Sequence, residues 1–281
     1  MAAEAGGARP ESSVRRGPLW HFENGLSGLV LVLIAVLPTL EIFVRWIFKT
    51  GIHSSSELTH HLVLWLTCLG GAMTSRENKH ITLSAGMDLI REPLRTWIAT
   101  VTTLISTAIA AAMTWSSLSL VLTGFDPAKR IAFVPVQLAV AILPVGFLLI
   151  TARFIIHTPG KAVNRGVAAL GLVAGTVIAF GSVTNILASL IPELPEALYR
   201  LVDAVAALGG RASLAAIIFL IVSMMLGTPV FIGLGGIAYL LFLGSGGALE
   251  VVANEAYGIL TSYSLPAIPL FTLAGFILSE S

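Results

Sequence analysis

The sequence predicts an all-α integral membrane protein, and three observations carry that reading. Charge is scarce: 16 Lys and Arg and 15 Asp and Glu make up 11% of 281 residues, against roughly 25% in soluble domains. Hydrophobic residues make up 56% and mean hydropathy is +0.91, which leaves too little polar surface to face water. The apolar residues also fall in long runs, at 26–48, 58–74, 97–123, 131–156, 167–191 and 213–244. About 20 residues cross a bilayer as a helix, and helices satisfy their own backbone there. The alternating ten-residue strands of a membrane barrel are absent. A soluble enzyme, a disordered chain and a collagen are excluded.

The remaining composition excludes more. A net charge of +1 gives no basic excess for nucleic acid. A single cysteine, Cys68, allows neither an internal disulfide nor a cysteine-held metal. It lies inside an apolar run and reads as a small buried hydrophobe.

In chain order, residues 1–17 read as a disordered cytoplasmic tail, with Arg9, Arg15 and Arg16 just before the first run. The run at 26–48 is too long for a signal-peptide core and reads as an anchor helix with its N-terminus in the cytoplasm. Arg76, Lys79, Arg91 and Arg95 follow the second run, and Lys161 and Arg165 follow the fourth, with Arg153 near that run's end. The loop after the first run holds only Lys49, and the loop after the third sets Lys129 and Arg130 against Asp126. The positive-inside rule then puts both ends of a four-helix unit in the cytoplasm. The fifth run leads outward to a loop with Glu193, Glu196, Arg200, Asp203 and Arg211.

Gly227-Thr228-Pro229 interrupts the run beginning at Ser213. As one helix that run measures about 47 Å, so one kinked pass and two short passes both stay open. Over 248–261, Leu249, Val252, Ala256, Ile259 and Leu260 share one helical face, with Glu250, Asn254, Tyr257 and Thr261 opposite. That is an amphipathic helix lying along the interface as a connector. The segment after it, with Pro266 and Pro269, is too short and broken to span.

Motifs for chemistry are scarce. Glu41 and Arg45 lie four apart at membrane depth in the first helix. Either Arg45 snorkels to the headgroups with Glu41 neutralising it, or Glu41 faces another helix at a subunit interface. The six histidines include no pair placed to ligate a haem inside a bundle. No H-E-x-x-H, G-x-S-x-G or phosphate-binding G-x-x-x-x-G-K-[ST] occurs, so the sequence predicts no enzyme, no catalytic residue and no metal site. In the charged loop at 75–95, Ile81, Leu83, Met87, Leu89, Ile90 and Leu94 suit a short helix on the cytoplasmic face.

Two stretches resemble a known family. SSELTHHLVLWLTCLGGAMTSRENKHITL at 54–83 resembles the small (DctQ-like) permease subunit of tripartite ATP-independent periplasmic (TRAP) transporters. Ser56-Glu57, Trp65, Leu69-Gly70, Arg76 and His80 carry the likeness. GTPVFIGLGGIAYLLFLG at 227–244 and SLPAIPLFTLAGFIL at 264–278 resemble the opening and first re-entrant hairpin of the large (DctM-like) subunit. The resemblance implies a small-permease domain at 18–160, a linker at 161–211 with one transmembrane helix, and the start of a large-permease domain at 212–281.

The family is one of secondary transporters in the bacterial inner membrane. They import small carboxylates of the C4-dicarboxylate type, delivered by a periplasmic binding protein and driven by a sodium or proton gradient, with no other cofactor. The resemblance makes Pro266, Pro269, Phe271 and Gly275 structural residues of the hairpin. It makes Gly227 and Pro229 a helix break, and Glu41, Arg45, Glu57, Arg76 and His80 candidates for a subunit interface or headgroup contact. The large-subunit-like part is about 70 residues against a family member several times longer, so the expectation is a truncated fusion, inactive alone. The competing reading is a membrane-anchored adaptor without a transport role.

Overall fold

A computed structural model describes residues 17–76, 90–92, 94–191 and 193–280. The tail before Gly17, most of the loop at 75–95 and His80 lie outside them. The regular structure of the described residues is helical except for one minimal β-ladder. Four helices are long and apolar enough to cross a membrane, or five with a bent pair.

Helix α1 (Pro18–Phe48) opens with proline at its first position, where a missing N–H costs nothing. Its buried residues, Glu23, Val30 and Ile34, form one stripe laid against α2 (Ser55–Arg76); Val30 and Ile34 pack with Val63 and Leu69. From Glu23 to Glu41 is about 27 Å along α1, and from Glu57 to Arg76 about 28 Å along α2. Both match a hydrocarbon core of about 30 Å, so charge marks the two borders of the membrane on adjacent helices.

Helix α3 (Leu94–Thr123) is the axis of the bundle, touching α5, α6, α7, α9 and α10. Its buried side includes Ser106, Thr107, Ala108, Ala111, Ala112 and Ser116. Small side chains let helix backbones approach, the main source of packing energy where lipid cancels the hydrophobic drive. Helix α6 (Ala162–Ile178) exploits this through Gly171 and Gly175, four residues apart. A Cβ on Gly171 would sit 2.6 Å from the Leu104 carbonyl oxygen, and one on Gly175 would overlap that of Ala108. Trp115 then donates to Thr176 at 3.0 Å, and the hydroxyls of Ser116 and Ser182 meet at 3.1 Å.

Several sequence expectations change. The run at 131–156 becomes helical only at Val136, because Arg130–Ile131 (β1) and Val134–Pro135 (β2) pair antiparallel. Helix α4 (Val136–Val140) and α5 (Ile142–Ile156) then continue as one span of 21 residues. The fifth run is not one straight helix: α6 and α7 (Phe180–Leu190) meet at Ala179 with a 64° bend. Gly181-Ser182 lies one residue beyond that break, a pair of the kind that tolerates kinks.

The expected loop around Glu196 to Arg211 is helix, the first half of α8 (Glu196–Met225). Pro195 precedes it, no proline interrupts 196–225, and Glu196 pairs with Arg200 one turn on. The open question at 213–244 resolves into two helices. Gly227 takes a φ of +108°, and α9 (Val230–Gly244) folds back along α8, bringing Gly244 beside Gly210 and Gly233 beside Met224. Helix α10 (Glu250–Leu260) forms where the amphipathic helix was expected, but Tyr257 of its expected polar face packs inward and Ile259 of its expected apolar face is 63% exposed; α11 (Ala267–Glu280) closes the described chain.

Candidate functional site

Charge inside the bundle concentrates at the end where α1 begins. Glu23 is 2% exposed and is shared between two arginines from other helices. Arg76, the last residue of α2, donates to Glu23 Oε2 at 2.9 Å and to Asn24 at 3.1 Å. Arg153 of α5 donates to Glu23 Oε1 and to the backbone carbonyl of Ala72. The Arg76 guanidinium lies 5.4 Å from the Trp20 ring centroid, within cation–π range. One carboxylate therefore ties three helices together, and the Glu23 hydroxyl-bearing neighbour Ser27 adds a bond back to the Glu23 carbonyl at 2.8 Å. A buried charge of this kind persists only when paired and hydrogen-bonded.

At the opposite end a second junction is built from aromatic rings. His61 Nδ1–H donates to the Glu57 carbonyl at 2.8 Å, leaving Nε2 to accept from the Tyr257 hydroxyl of α10 at 3.1 Å. Tyr257 also meets Phe125 edge-on at 5.3 Å, and His60 meets Tyr263 edge-on at 4.8 Å. Burial pushes the Tyr257 phenol above its ordinary range, so it stays protonated and able to donate. Tyr257 and Leu260 cover the core cluster around Leu64, Val121 and Val140, which seats the amphipathic helix against α2 and α3.

The structure scatters the other residues singled out from sequence. Arg45 bonds Glu41 on its own helix, with its side chain 66% exposed. Glu57 is exposed in the first turn of α2, and Arg76 belongs to the buried cluster. Gly227 and Pro229 form the turn between α8 and α9, where the Thr228 N–H donates to the Ser223 carbonyl at 3.0 Å. Pro266 precedes α11 and Pro269 lies in its first turn. They start that helix rather than break it, because first-turn N–H groups have no helical partner. Phe271 is 76% exposed, and a Cβ on Gly275 would meet nothing within 4 Å. Sequence reading passed over Glu23 and used Arg153 only as a loop charge. The available signal was a lone acidic residue at the lip of an apolar run, facing two runs that end in arginine.

Residues 34–162 match the family described as Tripartite ATP-independent periplasmic transporters, DctQ component. The chain carries a DctQ-like region. A Haemophilus influenzae protein named "Putative TRAP transporter small permease protein" is 31% identical over 55 residues, 20% of this chain. That alignment spans about a third, 34%, of the relative's length. The DctQ-like region takes in the second half of α1, then α2 to α5, and so contains Arg76 and Arg153; Glu23 lies about three helical turns ahead of it.

Proposed function

We propose that the chain acts as a small-permease component of a TRAP transporter, a membrane scaffold that holds a transport unit in place. The observation that carries this reading is the family match over the four-helix region, combined with a buried ion cluster that fixes three of its helices. Among the described residues of that region, the hydrogen-bonded polar side chains mostly join helices or bond back to their own helix. The Glu23 end faces the cytoplasm in this reading, in the inner membrane, following the loop charges.

The finer reading assigns residues 212–281 to the opening of a large-permease-like segment. Its supports are the resemblance of 227–244 and 264–278, the α8–α9 hairpin, the interfacial α10 and the proline-led α11. Small carboxylates of the C4-dicarboxylate type, delivered by a periplasmic binding protein and driven by sodium or proton, are the substrate and coupling in this reading. Broken helices at membrane depth suit such a task, since helix N-termini attract carboxylates and free carbonyls attract cations.

The test is co-expression with a TRAP large permease subunit and its binding protein, followed by copurification and uptake of labelled succinate in proteoliposomes. The expected outcome is a stable complex and gradient-dependent uptake only when all components are present. A chain that never copurifies with any large subunit, yet inserts and folds, would support the adaptor reading instead.

A further inference from the structure

Two adjacent histidines of α2 meet both sides of the joint between α10 and α11. His61 Nε2 accepts from the Tyr257 hydroxyl of α10 at 3.1 Å. His60 stands edge-on to Tyr263, in the connection to α11, at 4.8 Å. Just beyond, Leu265 and Leu270 pack with Val30, Ile34, Val63 and Leu69 of α1 and α2. The apolar part of this fastening is indifferent to pH. The histidine part is not, because imidazole is the side chain that ordinarily changes charge between about pH 5 and 8.

Only a neutral His61 makes the bond as it stands. Its Nδ1–H is committed to the Glu57 carbonyl at 2.8 Å, so Nε2 carries the one lone pair left to accept. A proton on Nε2 sets a donor against a donor, and the Tyr257 hydroxyl has to turn away. The groups around His61 then decide the balance. Among the described residues these are Glu57 and His60 on its own helix, Lys129 from the loop after α3, and Tyr257 on α10. The partners that attract an imidazolium, the carbonyl and the carboxylate of Glu57, belong to α2 and stay with His61 whether or not α10 is docked. Lys129 opposes the charge. The docked helix thus serves the neutral imidazole, and α2 with water serves the charged one.

We propose that the α10–α11 joint is a pH-sensitive latch, held while His61 is neutral and loosened when it takes a proton. By linkage the hold is complete above the histidine range and is lost as the pH falls through it. The latch works within one chain, so it stands or falls independently of the transport reading.

The test is amide hydrogen exchange of the full chain in phosphatidylcholine nanodiscs, read by mass spectrometry. It is run at about pH 8 and about pH 5, on either side of the histidine range, with each rate divided by its intrinsic rate at that pH. The expected result is that α10 exchanges about fivefold faster at the lower pH, the factor for losing one hydrogen bond, while α3 and α6 keep their protection. Tyr257→Phe lacks the donor and should show the fast rate at both pH values. His61→Gln does not titrate and should show no pH response, whether or not its amide reaches Tyr257. His60→Gln should keep the response of the parent. An α10 protected equally at both pH values would overturn the proposal. So would a parent-like response in His61→Gln, or a loss of protection at low pH spread equally over α3 and α6.

Discussion

Helix α1 carries two glutamates about 27 Å apart, and their surroundings are opposite. Glu23 is buried and bonded to arginines from α2 and α5. Glu41 bonds an arginine of its own helix whose side chain is two-thirds exposed. The first interaction joins elements far apart in sequence; the second closes a single turn and joins nothing. A charge at the membrane border is therefore informative in proportion to how far away its partner comes from. Among the described residues, the Glu23 end carries an ionic bond that three helices share.

The largest effect should follow from breaking that bond. Glu23→Ala leaves two buried guanidinium groups without their carboxylate, a loss of about 3–5 kcal/mol for a buried pair deprived of one partner. Reversible unfolding in mixed micelles should show this directly, and α1 should become accessible to protease at its N-terminal end. Stability within 1 kcal/mol of the parent would mean that the cluster is not what holds α1.

A second test asks how much of the bundle is held without charge. Gly175→Leu drives a side chain into the Ala108 carbonyl of α3, and overpacking of this kind costs about 1–3 kcal/mol. The effect should localise to α6 and α7, seen as faster hydrogen exchange there while the Glu23 end stays protected. Uniform loss of protection would instead make α3–α6 packing and the ion cluster one cooperative unit.

The membrane helices were legible in the sequence because their signal is compositional: a run of apolar residues reads the same whatever it packs against. The helix α10 was legible for a related reason, its residues falling at helical spacing, although Tyr257 and Ile259 exchange the faces expected of them. What stayed hidden depends on tertiary partners. Glu41 and Arg45 stood out because four-residue spacing is visible along one helix, whereas Glu23 meets Arg76 and Arg153 only after three helices assemble. The start of α8 at Glu196 was hidden because its charges suggested a loop, although Glu196 and Arg200 stand at intrahelical spacing. The bend at Ala179 carries no proline, so the run at 167–191 read as continuous.

At the opposite end of α2, the junction with α10 depends on a neutral bond, and its loss should be smaller than that at Glu23. Tyr257→Phe keeps the ring contact with Phe125 and removes the donor to His61. The expected cost is about 1 kcal/mol, the net worth of one hydrogen bond, with α10 exchanging faster than α2. A cost near that of Glu23→Ala would show that the aromatic junction carries as much load as the ionic one.

The smallest effect is expected at Glu41, and it bears on both open readings of that residue. Glu41→Gln removes the carboxylate partner of the exposed Arg45, a pair of a kind worth about 0–1 kcal/mol. The isolated chain should unfold almost as the parent does, because the Arg45 side chain is already 66% exposed. If Glu41 instead faces a second subunit, the substitution should leave the isolated chain unchanged and weaken copurification with the large permease subunit. The same variant thus separates the two readings: unaltered assembly assigns Glu41 to neutralising Arg45, and weakened assembly assigns it to the interface.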